Sequence, residues 1–177
     1  MKILTFQHKN ILKELEYDGV YIAKLDSFYK QKTPQCYDIV FNSIKTIEPG
    51  STQPIFGWYS VLSNNNDELN IDSKTISRCL EMTGFNEENY LVFELDLPSD
   101  RVSLQDFYNF VDARCEEEGI DSYYDNFEDF PIDKIFDIKN ALEIQCTFSS
   151  IHYPDIKNIY SFKKENNSYL LEKIYNS

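Results

Sequence analysis

The residues best equipped for chemistry fall in three short stretches. The first is QPIFGWYS, from Gln53, which holds the only tryptophan, Trp58, between Gly57 and Tyr59. Aromatic faces stack on flat ligands and exclude water, although such side chains most often fill cores. Read as a strand, the run puts Phe56 and Trp58 on one face and Ile55, Gly57 and Tyr59 on the other. One continuous platform would need a bulge at Gly57, so Tyr59 is expected to face a site and Trp58 to pack. The second stretch is LEIQCTF, from Leu142, where alternation places Glu143 and Gln145 on one face, able to line one cleft. Gln145 sits among Ile144, Cys146 and Phe148, so if that face is buried its amide needs partners or a cavity. The third is Gln7-His8 at the end of the opening strand, where polar groups ordinarily meet solvent. A pocket walled by Tyr21, Trp58 and Tyr59 is the simplest site these residues could build.

The elements that must position them follow from periodicity and punctuation. KILTFQ from Lys2 predicts a strand, and Asn10 caps a short helix carrying Ile11, Leu12 and Leu15 that Gly19 ends. Val20 to Ala23 predicts a second strand. Thr33-Pro34 opens a helix with Tyr37, Val40, Phe41, Ile44 and Ile47 on one stripe, ended by Glu48-Pro49-Gly50. The aromatic run at 54–62 lacks clean alternation, as a strand buried on both faces would, and the polar stretch at 63–67 predicts a turn. Ser73 opens a third helix that Gly84 closes, and YLVFELDL from Tyr90 is the clearest strand. Ser103 with Asp106 resembles a capping box for a fourth helix ended by Gly119. A short helix near Ile132 precedes strands at 142–148, 159–163 and 169–174, the last two joined through Asn166-Asn167. With no repeat, linker or low-complexity tract, the 177 residues read as one domain over 1–177. The expected class is α+β, with a mixed, mostly antiparallel central sheet and about four flanking helices.

Several chemistries are excluded by what is missing. No phosphate loop, GxGxxG or GxSxG elbow occurs, and five glycines are a thin supply for them. Kinases, common NTPases, dinucleotide oxidoreductases and α/β-hydrolases drop out. Cysteines at 36, 79, 115 and 146 form no CxxC pair, and two histidines stand apart, so no metal is expected. The N-terminus turns charged within ten residues, unlike a secretory signal, and the expectation is a cytoplasmic protein with reduced thiols and no membrane span.

Charge is the strongest compositional signal: 30 acidic against 17 basic residues give a net charge of −13. Only three arginines occur, so an extended nucleic-acid groove is not expected. The segment from Asp112 to Asp137 carries ten acids against Arg114 and Lys134. Such runs are usually solvated faces; the sharper reading is a patch meeting a basic partner, as a nucleic-acid mimic would.

Ordered blocks across nearly the whole chain resemble an uncharacterised bacterial family, domain of unknown function three-eight-four-one. They are LTFQ, GVYIA, CYDIV, PIFGWYS, LVFELDLPSDRVSLQDF, KIFDI and IQCTFSSIHYPDIKNIYSF. The chain departs from that family's pattern at Phe56 and Ser149, where tryptophans are usual. The resemblance implies a fold, a bacterial or phage origin and no chemistry. A second resemblance, to the ADP-ribosyltransferases, rests on the opening strand-helix-strand and on LEIQCTFSSIHYPDIKNIYSF. It implies NAD as cofactor, bound by Gln7 or His8, Tyr21, Trp58 and Tyr59, with Glu143 or Gln145 as the catalytic position near the ribose. A carboxylate there would stabilise the cation-like sugar as nicotinamide leaves, while Gln145 could only position.

Three functions therefore compete. One is an NAD-dependent ADP-ribosyltransferase-like enzyme modifying a protein or nucleic-acid target. The second is a non-enzymatic acidic inhibitor of a nucleic-acid-binding partner, anti-defence or antitoxin-like. The third is a small-molecule-binding domain with an aromatic pocket.

Overall fold

The computed structural model describes residues 1–23, 31–61, 71–120, 123–166 and 168–176. The expected turn at 63–67 and Asn167 lie outside the described residues. Seven strands form the main sheet: β1 (Lys2–His8), β3 (Ile55–Ser60), β4 (Tyr90–Asp96), β5 (Ser103–Asp106), β6 (Ile144–Phe148), β8 (Ile156–Glu165) and β9 (Ser168–Asn176). Their spatial order is β5-β6-β3-β1-β4-β8-β9, and every neighbouring pair is antiparallel. Two short strands, β2 (Val20–Ile22) and β7 (Ser150–His152), pair in a separate ribbon. Among the described residues the helices are α1 (Ile11–Asp18), α2 (Pro34–Asn42), α3 (Ser73–Thr83), α4 (Phe107–Glu118) and the single turn α5 (Asp133–Phe136). The α+β class and the antiparallel sheet agree with the sequence reading. None of the described helices is long and apolar enough to cross a membrane.

The sheet buries both faces, which explains the unbroken apolar runs. On one face Ile3, Leu91, Phe93, Leu95, Ile55 and Phe148 meet Ile11 and Leu15 of α1 and Ile151 of β7. On the other, Leu4, Phe6, Trp58 and Val92 meet Ile76, Cys79 and Leu80 of α3. Beside them, Cys36, Tyr37 and Val40 of α2 pack with Phe110 and Ala113 of α4 and Ile135 of α5, with Phe56 against them.

Glycine ends three helices in the left-handed conformation, at Gly19, Gly84 and Gly119, as the sequence predicts. Several starts and stops differ from expectation. Asn10 makes no side-chain cap. Asp72, not Ser73, caps α3 by accepting the Thr75 N–H. Ser103 and Asp106 form no capping box: both lie in strand β5, and Asp106 itself caps α4, accepting from the Tyr108 and Asn109 N–H groups. The second helix stops at Asn42 rather than near Pro49, because the Ser43 hydroxyl turns back onto the Val40 carbonyl and lies 2.6 Å from the Ser103 hydroxyl. The second strand, expected to continue the opening βαβ rhythm, sits outside the main sheet.

The alternation in β3 holds to Trp58 and then breaks. Trp58 pairs with Gln145 but Ser60 with Ile144, so the extra residue is Tyr59, not Gly57. Gly57 has a different task. A Cβ there would sit 2.8 Å from Ile3 Cγ2, 3.0 Å from the Leu4 carbonyl oxygen and 3.1 Å from Phe148 Cε1. Gly57→Ala must push β1 and Phe148 away, an overpacking cost of about 1–3 kcal/mol. Urea unfolding should show a lower midpoint with the slope unchanged, the midpoint shift times the slope giving that cost; an unaltered midpoint would contradict the close approach.

Candidate functional site

The site begins with a break in strand pairing. β1 pairs with β4 along its whole length, from Lys2↔Asp96 to His8↔Tyr90. Against β3 it registers only at Leu4↔Trp58. Beyond that point a side chain replaces the ladder: the Thr5 hydroxyl donates to the Phe56 carbonyl at 2.7 Å, and Gln7 Nε2 donates to the Thr5 hydroxyl at 2.7 Å. On the β3 side the chain enters through Gln53-Pro54, and proline has no N–H to offer a ladder. β1 follows β4, β3 follows β6, and a cleft opens between them.

That cleft has a volume of about 320 Å³, the small end of the roughly 300–1,000 Å³ usual for ligand pockets. Because it lies at a split in the sheet, both faces contribute. Phe6, Trp58, Phe85 and Tyr90 supply aromatic surface from one side, and Tyr21 with the aliphatic Ile55 lines the other. Phe85 stacks on Tyr90 at 4.4 Å and tilts against Phe6 at 5.9 Å, so this wall is braced. Trp58 is only 2% exposed and packs at 5.0 Å from Phe107, fixing its indole at the cleft floor. The polar lining consists of Gln7, His8, Gln53, Thr83 and Gln145 with the Tyr21 and Tyr90 hydroxyls. No Lys, Arg, Asp or Glu lines it among the described residues. Burial, and then the charge of Glu14, push the Tyr21 hydroxyl pKa up, so it stays protonated near neutrality.

Of the residues singled out in the sequence, the cleft brings together Gln7, His8, Tyr21, Trp58 and Gln145. Two do not join. Tyr59, the bulge residue, packs on the core under α1 and the β2–β7 ribbon and not on the cleft; Trp58 packs as expected and lines the cleft as well. Glu143 lies across the sheet from Tyr59, beneath α3. Arg78 of α3 donates from Nε to Glu143 Oε1 at 2.7 Å and from Nη2 to the Tyr108 hydroxyl at 2.6 Å. Glu143 is 2% exposed, and the pairing pushes the Arg78 pKa up. The trio Gln7, Tyr59 and Glu143 therefore does not converge on one cleft. Sequence reasoning also missed Phe85, Tyr90 and Gln53; the split between β1 and β3 assembles them, and no local pattern encodes it.

The remaining reactive groups serve structure. Burial pushes the Cys36, Cys79 and Cys146 thiols well up, with the Glu117 hydrogen bond next at Cys36 and the Glu143 charge next at Cys79. Such thiols are poor nucleophiles. No group of His, Cys, Asp and Glu that could hold a metal occurs among the described residues. Ser150 Oγ and Glu48 Oε2 lie 3.2 and 2.8 Å from the same His152 atom, Nε2. A Ser-His-acid relay needs the two on opposite ring nitrogens, and Ser150 is 1% exposed. The acidic segment is partly internal too. Glu117 accepts the Gln35 and Cys36 N–H groups at the start of α2, and buried Glu116 accepts the Tyr123 N–H. Glu128 and Asp129 remain exposed.

Removing Arg78 leaves the Glu143 carboxylate buried beside Cys79 without its cation. Arg78→Ala should cost about 3 kcal/mol in urea unfolding, while the paired change Arg78→Met with Glu143→Leu should recover most of it; equal loss in both would contradict a structural ion pair. Set against known protein families, curated proteins and solved structures, the chain has no match.

Proposed function

We propose that this protein is a small-molecule-binding domain whose cleft between β1 and β3 takes a flat, uncharged ring. The carrying observation is the lining: braced aromatic walls, amides and hydroxyls, and no charged residue among the described residues. Aromatic walls reward a flat ligand by area and by face or edge geometry. Amides and hydroxyls read its polar edge without requiring a counter-charge, whereas a phosphate would be desolvated there with no cation to meet it.

A second reading, ADP-ribosyl transfer from NAD, draws support from Gln7 and Gln145 sharing the cleft. It would require a carboxylate beside the ribose, and Glu143 is engaged by Arg78 on α3. Capture of a basic partner would rest on the exposed acids, such as Glu128 and Asp129, rather than on Glu116 and Glu117, which hold backbone N–H groups.

Trp58 is the sole tryptophan and lines the cleft, so its emission reports occupancy directly. Uncharged nucleobases and nicotinamide should change Trp58 fluorescence saturably, with matching heat in calorimetry. Their nucleotides and NAD should bind at least tenfold more weakly. Flat emission and no heat across the panel would overturn the reading, as would tighter binding of the phosphorylated forms.

A further inference from the structure

Two buried polar atoms near the cleft lack hydrogen-bond partners, and they are complementary. Gln145 Oε1 is an acceptor and Gln105 Nε2 a donor; both are sealed from solvent. Their residues stand directly opposite each other across β5 and β6, on one face. Opposed side chains in an antiparallel pair start about 4.5–5.5 Å apart at Cβ, well within the reach of two glutamines. A buried donor and a buried acceptor left unpartnered are each costly, so joining Gln105 Nε2–H to Gln145 Oε1 removes two penalties together. The other end of Gln105 is already placed: the Thr147 hydroxyl lies 3.4 Å from Gln105 Oε1. Gln105 is 0% exposed, so its amide has little room to turn.

This arrangement decides which end of Gln145 meets the cleft. Oε1 is the sealed end of the Gln145 amide, which leaves Nε2 as the end able to face the cleft that Gln145 lines. A second lining group presents a donor for a similar reason. His8 Nδ1 accepts the Asn10 N–H at 3.2 Å, so a neutral His8 carries its proton on Nε2. Gln145 and His8 therefore present N–H donors to the cleft, whereas Gln7, whose Nε2 is given to Thr5, presents its Oε1.

Resting on the small-molecule reading above, we propose that the cleft selects rings with a carbonyl on the reading edge over rings with an amino group at the same position. Gln145 Nε2 is the reading group. Gln105 is a positioning residue that touches no ligand and holds the Gln145 amide in its donor orientation. A ring carbonyl accepts from Gln145 Nε2; an exocyclic amino group would set donor against donor.

The test is calorimetric titration of the full chain with two pairs of rings: hypoxanthine against adenine, and uracil against cytosine. The wild-type protein should favour the carbonyl member of at least one pair by about tenfold, one hydrogen bond's worth of discrimination. Gln145→Leu should abolish that preference. Gln105→Leu should bring the ratio toward one while leaving some binding of both rings, because the freed amide can present either end. If Gln105→Leu fails to fold by circular dichroism, Gln105→Met serves. Equal binding of both members by the wild type, or preference for the amino member, overturns this inference and leaves the small-molecule reading standing. No binding of any of the four rings overturns both. A preference untouched in a folded Gln105 variant overturns the positioning role.

Discussion

The structure depends on how one strand is shared between two neighbours. β1 pairs through seven successive residues with β4 but registers with β3 at Leu4↔Trp58 alone. A fully laddered centre would satisfy every backbone group and leave no opening. Here the ladder is given up on one side, and side chains make good part of the loss, Thr5 on the Phe56 carbonyl and Gln7 on Thr5. Gly57 holds the two strands close just where they begin to part, since no Cβ fits between Ile3, the Leu4 carbonyl and Phe148. The cleft thus opens within the sheet, where β1 and β3 part.

The two faces of the sheet divide the remaining work. Under α3, the Arg78–Glu143 pair ties a helix to the strand end at β6, with Tyr108 of α4 on the same guanidinium. Removing Arg78 would be costly because Glu143 would stay buried and charged. At α2, Glu117 from the neighbouring helix accepts two N–H groups that the helix start cannot pair for itself. Both carboxylates look, by type alone, like candidates for catalysis or for a charged partner surface. Their geometry makes them braces.

Much of the architecture was legible in the sequence because it rests on local rules. Gly19, Gly84 and Gly119 end helices since they adopt the left-handed conformation without a Cβ penalty. YLVFELDL reads as a strand because it is apolar on both faces, and it lies between β1 and β8. What stayed illegible rests on pairing between distant segments. Ser103 and Asp106 have the spacing of a capping box, yet Ser103 pairs with Thr147 across β5 and β6 and only Asp106 caps. The site was half legible. Gln7, His8, Tyr21, Trp58 and Gln145 converge, but the bulge after Trp58 sends Tyr59 into the opposite core, and the helix above Glu143 carries an arginine aimed at it. Neither fact is visible within the stretch of sequence that holds the residue.

The most direct measurement is nuclear magnetic resonance of isotope-labelled protein titrated with hypoxanthine, following the glutamine side-chain amides, the Trp58 indole and the His8 ring. The account predicts that Gln145, Trp58 and His8 resonances move together along one binding curve while those of Tyr59 and Arg78 stay in place. Shifts centred on Arg78 and Tyr108, or on the acidic segment around Glu128, with Gln145 and Trp58 unmoved, would contradict it.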